Sequence, residues 1–226
     1  MHQRKIRNTS IALTELGFGA SVIGNLYHVT PVDDATAAVD AAWEAGIRYV
    51  DTAPHYGLGL SMNQSAMLAR FLRETDADVV MLAGRYTLLD QSALDDVLPA
   101  ARELGKSVVA VGVFNSGLLC LDRPAEGMKY DYQDAPPALV ARARAIAEVC
   151  EAHGTTLPAA AIAFPRTHPS IINVTLGMRT PEQVVRNVKV QDRRVPDGLW
   201  HDLRAQGLIR SDVLAGHGGG RDARCL

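Results

Sequence analysis

Two groups of residues in this sequence have types and spacing suited to chemistry. In the first, Asp51 ends a β-rich run at 47–52, and Tyr56 follows in a loop with glycines at 57 and 59. A carboxylate and a phenol are both proton-handling groups. A tyrosine of ordinary pKa, about 10, needs positive charge nearby before it ionises readily. Plain structural roles stay open as well: Asp51 as a strand-end carboxylate accepting from backbone amides, Tyr56 as a half-buried packing ring. The second group is Gly177, Arg179, Gln183 and Asn187, with Thr180-Pro181 between them. Proline in a first helical turn puts Arg179 at a helix N-terminus, where an arginine is placed to meet an anionic group. Gln183 and Asn187 then lie one turn apart on one face and reach the same ligand. The alternative is an ordinary helix cap with a solvated arginine.

The elements that must position these residues alternate between strand and helix. Strands are predicted at 13–19, 47–52, 78–83, 107–113 and 171–176, the fourth a near-continuous apolar run suited to burial on both faces. Helices are predicted at 32–45, 61–73, 91–104, 136–153, 157–164, from Thr180, and at 198–205. In the first of these, Val32, Ala35, Val39, Ala42 and Trp43 recur at helical spacing and form the expected buried face, with Thr30 or Asp33 as cap. Ser61 is the expected cap of the second. Residues 115–135 read as irregular. Five strands each followed by a helix imply an α/β protein with a parallel sheet. Periodicity alone favours an open doubly wound sheet; the competing architecture is an incomplete (β/α)8 barrel.

The bulk properties narrow the function classes. The 226 residues carry a formal net charge of −2 and are 47% hydrophobic, which fits one globular domain or at most two small ones; a single domain over 1–210 is the expectation. No basic patch supports a nucleic-acid partner. No apolar h-region follows the basic N-terminus and no stretch of about 18 apolar residues is present, so neither a signal peptide nor a membrane span is expected. Cys120, Cys150 and Cys225 are odd in number and far apart, with no metal-ligand spacing, and read as reduced thiols in the cytoplasm. The glycine-rich tail 211–226 is expected to be disordered.

Motifs then shift the balance to the barrel. The stretch Glu15-Leu16-Gly17-Phe18-Gly19-Ala20, with Gly24-Asn25-Leu26-Tyr27, resembles the first strand of the aldo-keto reductases. The run from Ala45 through Asp51-Thr52-Ala53-Pro54-His55-Tyr56-Gly57 is similar to their second strand and loop. The wording is nearest to the branch that oxidises sugars at C1, the D-threo-aldose or L-fucose dehydrogenases, with pyridoxal dehydrogenases nearby. Later segments, 79–89, 108–119 and 171–187, resemble strands six, seven and eight, so the likeness spans about 11–210. It is discontinuous: Leu60-Ser61 runs directly into Met62-Asn63-Gln64-Ser65, which resembles the segment just after strand five. Three β/α units, roughly 90 residues, are missing at or next to 61–62.

The resemblance implies hydride transfer between NADP or NAD and a carbonyl or alcohol carbon of a sugar or aldehyde. It makes Tyr56 the proton donor or acceptor and Asp51 its support. It makes Ser116, Gly117 and Leu118, in Asn115-Ser116-Gly117-Leu118-Leu119, the pyrophosphate loop, where amides and a small hydroxyl suit a phosphate. Gly177, Arg179, Gln183 and Asn187 become the adenosine end, and Tyr27, His55 and Tyr86 line the substrate pocket. The family lowers the tyrosine pKa with a lysine from strand three and a histidine from strand four. Both strands are missing. Lys5, Lys106, Lys129 and Lys189, and His28, His55, His153 and His168, lie outside the pattern, and Ala83 or Gly84 stands where many relatives have a glutamine. An impaired enzyme is therefore expected; the alternative is a non-catalytic nucleotide-binding remnant. An arc cut from a barrel also exposes two strand edges, so self-association is expected.

Overall fold

The computed structural model describes residues 1–7, 9–23, 30–51, 61–62 and 65–213. The chain opens with an antiparallel hairpin, β1 (Gln3–Lys5) and β2 (Ala12–Thr14). There follow β3 (Leu16–Gly19), α1 (Val32–Glu44), β4 (Val50–Asp51), β5 (Ser61–Met62), α2 (Ser65–Glu74), β6 (Val79–Ala83), α3 (Val97–Glu103) and β7 (Ser107–Val111). A second hairpin, β8 (Lys129–Tyr130) and β9 (Gln133–Asp134), precedes α4 (Pro137–Ala152), α5 (Leu157–Ala163), β10 (Ile171–Gly177), α6 (Pro181–Gln191) and α7 (Asp197–Ala205).

One six-stranded sheet runs in the order β4-β3-β10-β7-β6-β5, and every pairing in it is parallel. The order decides between the two architectures. In a doubly wound sheet the chain starts near the middle and works outward to both edges. Here the first and last strands of the sheet, β3 and β10, pair with each other, as they do when a (β/α) barrel closes. The two edges, β4 and β5, are consecutive in the chain. The sheet is thus an arc of a barrel, open between β4 and β5, where the sequence places its discontinuity. To the five strands read from the sequence the structure adds Ser61–Met62, which pairs with Met81 and Leu82 and so corrects the reading of Ser61 as a helix cap.

Other boundaries move for local reasons. The first predicted strand divides at Glu15, whose N–H bonds His2 O (2.9 Å) in the hairpin while its own carbonyl accepts from Val174 N (2.9 Å) in the sheet. The helix predicted from Gln91 begins only at Val97, because Asp96 is non-helical (φ −147°, ψ −71°) and caps it by accepting from Val97 N–H. The N-cap of α1 is Pro31, without a side-chain cap bond. Of its expected buried face only Ala42 is buried, with Ala38; Val32 and Trp43 are 79% and 63% exposed. Helix α1 packs on α6 along one side, and no described helix follows β4 to cover the other. Trp43 is instead stacked by the Arg48 guanidinium, 3.7 Å from the ring centroid.

The two faces of the central strands differ. Leu16, Phe18, Val174 and Leu176 belong to the main hydrophobic core. Alternation puts Gly17, Tyr49, Asp51, Asn173 and Thr175 on the opposite face. There, buried Asn173 donates through Nδ2 to Thr14 O (2.6 Å), and Thr175 Oγ1 donates to Asn173 Oδ1 (2.6 Å). Gly17 is needed between them: a Cβ would meet Thr175 Oγ1 and Tyr49 Cδ1, each at 2.6 Å. Under the outer helices, Tyr86 packs against Phe164 (5.0 Å between centroids) and Phe164 against Trp200 (5.8 Å).

Two predictions follow from this packing. Gly17→Ala will lower unfolding stability by about 1–3 kcal/mol through overpacking, read as a shift in urea midpoint. His168, 4% exposed, accepts at Nδ1 from Ser170 N–H (3.2 Å). Burial, aided by Arg102 and Arg7, pushes its pKa down to about 4. The unfolded histidine takes up its proton near pH 6.5, so this group favours unfolding progressively as pH falls from about 6.5 toward 4. His168→Gln will flatten that part of the stability profile in urea titrations run across the interval.

Candidate functional site

Because the sheet is wholly parallel, the C-terminal ends of its strands meet on one rim. Register aligns three residues there: Gly177 opposite Gly19, and Gly19 opposite Asp51. Half-buried Tyr49 precedes Asp51 by two residues on the same face. Burial first, and then the Asp51 carboxylate, push its phenol up to about 12. At neutral pH Tyr49 therefore remains protonated.

From β6 and β7 the chain turns sharply. Gly84 (φ +68°) and Gly112 (φ +67°) both adopt the left-handed conformation. A Cβ on Gly112 would lie 3.3 Å from Gly84 N, so the two backbones pass in contact. Three consecutive left-handed residues follow: Asn115 (φ 46°), Ser116 (φ 58°) and Gly117 (φ 103°). The amides of Asn115, Gly117 and Leu118 bond to carbonyls of Gly112, Phe114 and Asn115 at 2.9, 3.0 and 3.2 Å. The loop's own turns thus use the amides that the sequence assigned to a phosphate. Gly117 serves the backbone path, and Leu118 anchors the loop in the core. The exposed Ser116 side chain and the Asn115 side-chain carboxamide are not used by these turns. Asn115 is 3% exposed, and neither Oδ1 nor Nδ2 has a hydrogen-bond partner in the protein. A buried amide left unmatched at both ends is costly, which makes it a position for a polar ligand group.

Beyond β10 the chain passes exposed Gly177 and buried Met178 to half-buried Arg179. Thr180 caps α6, its Oγ1 accepting from Gln183 N–H (3.4 Å), while Gln183 Oε1 accepts from Arg179 N–H (2.8 Å). This reciprocal arrangement is a form of capping box. It uses the Gln183 carbonyl but not its NH2 group. Asn187 sits half-buried one turn on. The Nε of Arg179 is buried without a partner, at the positive end of the α6 dipole. Arg186 joins α6 to the loop after β7 through Cys120 O (2.6 Å). Arg179, with an unmatched N–H, and the loop after β7, with an unmatched carboxamide and a serine hydroxyl, each keep polar groups of the kind that suit an anionic ligand.

The remaining expected residues fall elsewhere. Tyr27, His55 and Tyr56 lie outside the described residues. Tyr86 is 1% exposed, its hydroxyl 3.0 Å from Thr167 Oγ1, so it offers no surface to a substrate. Burial pushes its phenol up to about 12. Lys106 Nζ binds the Leu72 carbonyl at the end of α2 (2.7 Å), Lys129 pairs with Asp134 (2.6 Å), and His153 pairs with Asp202 (2.8 Å). No group of three metal-ligating side chains occurs among the described residues. Sequence reading missed Tyr49 and Asn115. The signal for Tyr49 was its two-residue spacing from Asp51; for Asn115 it was a carboxamide beside Ser116 at the head of the quoted loop motif.

Comparison with known proteins supplies the lineage. The sequence model of the Aldo/keto reductase family matches residues 15–76 and 58–205. D-threo-aldose 1-dehydrogenase of a Pseudomonas species is 29% identical over 314 aligned positions, covering 88% of this chain and 95% of that protein. The alignment is longer than the chain itself, so the relative has a long stretch with no counterpart here. Pyridoxal 4-dehydrogenase of Microbacterium luteolum is 40% identical over 153 residues, covering 68% of this chain and 44% of that enzyme. Among solved structures, the holo form of an aldo-keto reductase from Bacillus halodurans superimposes with a TM-score of 0.61 at 19% identity, covering 94% of this chain and 98% of the other. A glycerol dehydrogenase from Gluconobacter oxydans gives 0.60 at 16%, covering 90% and 95%. With the arc topology, these matches establish that the chain belongs to the aldo/keto reductase family, an oxidoreductase family that uses nicotinamide cofactors, and that it is an internally shortened member of it.

Proposed function

We propose that this chain binds NADP or NAD at the rim formed by β7 and β10, and that its oxidation of an aldose at C1, or its turnover of a small aldehyde or alcohol, is impaired. The observation that carries this reading is the edge position of β4 and β5. Among the described residues no strand lies between them, whereas the ends of β7 and β10 keep their polar groups. The substrate class follows the names of the aldose and pyridoxal dehydrogenase relatives. Arg179, Ser116, Asn187 and the Gln183 NH2 group would hold the phosphates and adenosine, with Gly177 allowing close approach. Free and buried Cys150, whose thiol burial pushes up to about 12, suits a reducing compartment such as the cytoplasm.

The nicotinamide, when bound, supplies the hydride chemistry. The protein's share is the proton. Family resemblance gives that role to Tyr56, with Asp51 in support. The lysine and histidine that lower the phenol's pKa belong to the missing strands three and four. A phenol without such cationic neighbours is an ordinary tyrosine, and acid–base catalysis worth about 10²–10⁴-fold is lost. In the limiting case the chain binds nucleotide without turnover, a reading favoured by the same gap in the arc.

Fluorescence titration with NADPH and NADH should show saturable binding that Arg179→Gln weakens at least about fivefold, the effect of one net hydrogen bond; no binding at millimolar nucleotide would overturn the proposal. Initial rates with L-fucose, D-arabinose and pyridoxal should lie about 10²–10⁴-fold below those of an uninterrupted relative, with Tyr56→Phe reducing them little further. Equal rates would show that the proton role is met by other groups.

A further inference from the structure

The four non-glycine residues of positive φ among those described are Asn115, Ser116, Asp131 and Tyr132, and they occur in two loops that touch. Asp131 (φ 47°) and Tyr132 (φ 65°) form the two-residue turn between β8 and β9, where both positions need positive φ. Neither is glycine, so the hairpin holds backbone strain of the kind that collects at ligand clamps. Two contacts hold the tip in place. Tyr132 N–H donates to Ser116 Oγ (3.1 Å). Asp131 Oδ2 receives both terminal nitrogens of Arg85 (3.3 Å each), and Arg85 also pairs with Asp90 (3.0 Å).

A hydroxyl has one donor and two acceptor sites. With Tyr132 N–H filling an acceptor site of Ser116, the hydroxyl proton is left to donate to an anionic oxygen. A bond accepted on one side of the oxygen also strengthens the bond it donates on the other. We propose that the β8–β9 hairpin, latched by Arg85 and Asp131, is a positioning element for nucleotide binding: it fixes the Ser116 hydroxyl as a donor to the dinucleotide phosphates. The inference rests on the proposed cofactor reading and adds to it Asp131, Arg85 and the Tyr132 backbone. The adjoining unmatched Asn115 amide independently marks this loop as a place for a polar ligand group.

The test is a double-mutant cycle read as the Kd for NADPH. Ser116→Ala removes the hydroxyl. Asp131→Asn removes the latch charge and keeps a residue that tolerates positive φ; Arg85→Gln removes it from the other side. Lys129→Gln breaks a different ion pair of the same hairpin and controls for general loosening. Each of Ser116→Ala, Asp131→Asn and Arg85→Gln should weaken binding about fivefold. Lys129→Gln should leave Kd unchanged. The combination of Ser116→Ala with Asp131→Asn should be no weaker than Ser116→Ala alone, an outcome that loosening of the fold would not give. In hydrogen exchange, nucleotide should slow the Tyr132 amide in the wild-type chain and not in Ser116→Ala. A wild-type Kd for Asp131→Asn and Arg85→Gln, or multiplicative losses in the double variant, would overturn the positioning role and leave cofactor binding intact. Failure of the wild-type chain to bind any nucleotide would overturn both.

Discussion

The parallel pairing of β3 with β10 is the constraint on which the rest of the structure depends. It sets Leu16–Gly19 against Val174–Gly177 in continuous register. Without it the chain would contain two separate parallel pieces, one around β4 and one from β5 to β10. With it, the apolar faces of both pieces share one core beneath the helices, and their C-terminal ends share one rim. The pairing is also unforgiving. Thr175 and Tyr49 come together over Gly17, so a side chain at that position would push apart the strands that join the two pieces.

The rim shows why one half of a catalytic site can outlast the other. The proposed nucleotide-binding groups come from two neighbouring strands and one helix: the turn after β7, the turn after β10, and the first turns of α6. Each is close in sequence to what it touches, or is tied by a single bond such as Arg186 to Cys120 O. Proton handling requires charges from strands on the far side of the barrel to approach one phenol. On the proposed reading, removal of contiguous β/α units spares the first kind of site and dismantles the second. The retained residues then differ in their circumstances. Asp51 still sits on the rung with Gly19 and Gly177.

Much of this was legible in the sequence, for identifiable reasons. Buried parallel strands such as Ser107–Val111 and Ile171–Gly177 declare themselves as apolar runs bounded by turns, and Thr180-Pro181-Glu182-Gln183 announces a capped helix. The barrel order was carried by motif and not by periodicity, since local patterns hold no information about which strands pair. Three things were out of reach. The exposure of Val32 and Trp43 goes with the lack of a described helix on that side, which no property of α1 itself encodes. The β8–β9 hairpin lacks the glycine or asparagine that usually marks such a turn. The internal use of the amides around Asn115 appears only when the backbone is traced through three left-handed residues.

The order of strands in the arc has a consequence for the way the chain acquires its structure. Pairs β5–β6 and β6–β7 join segments close in sequence, whereas the partner of β3 is separated from it by most of the polypeptide. During synthesis the N-terminal strand leaves the ribosome long before residues 171–177 exist, and its apolar side must wait without a template. The slow closing step is thus the capture of the first segment by the last. Substitutions that weaken that encounter will be felt as delayed maturation and greater dependence on chaperones, even where the finished protein tolerates them.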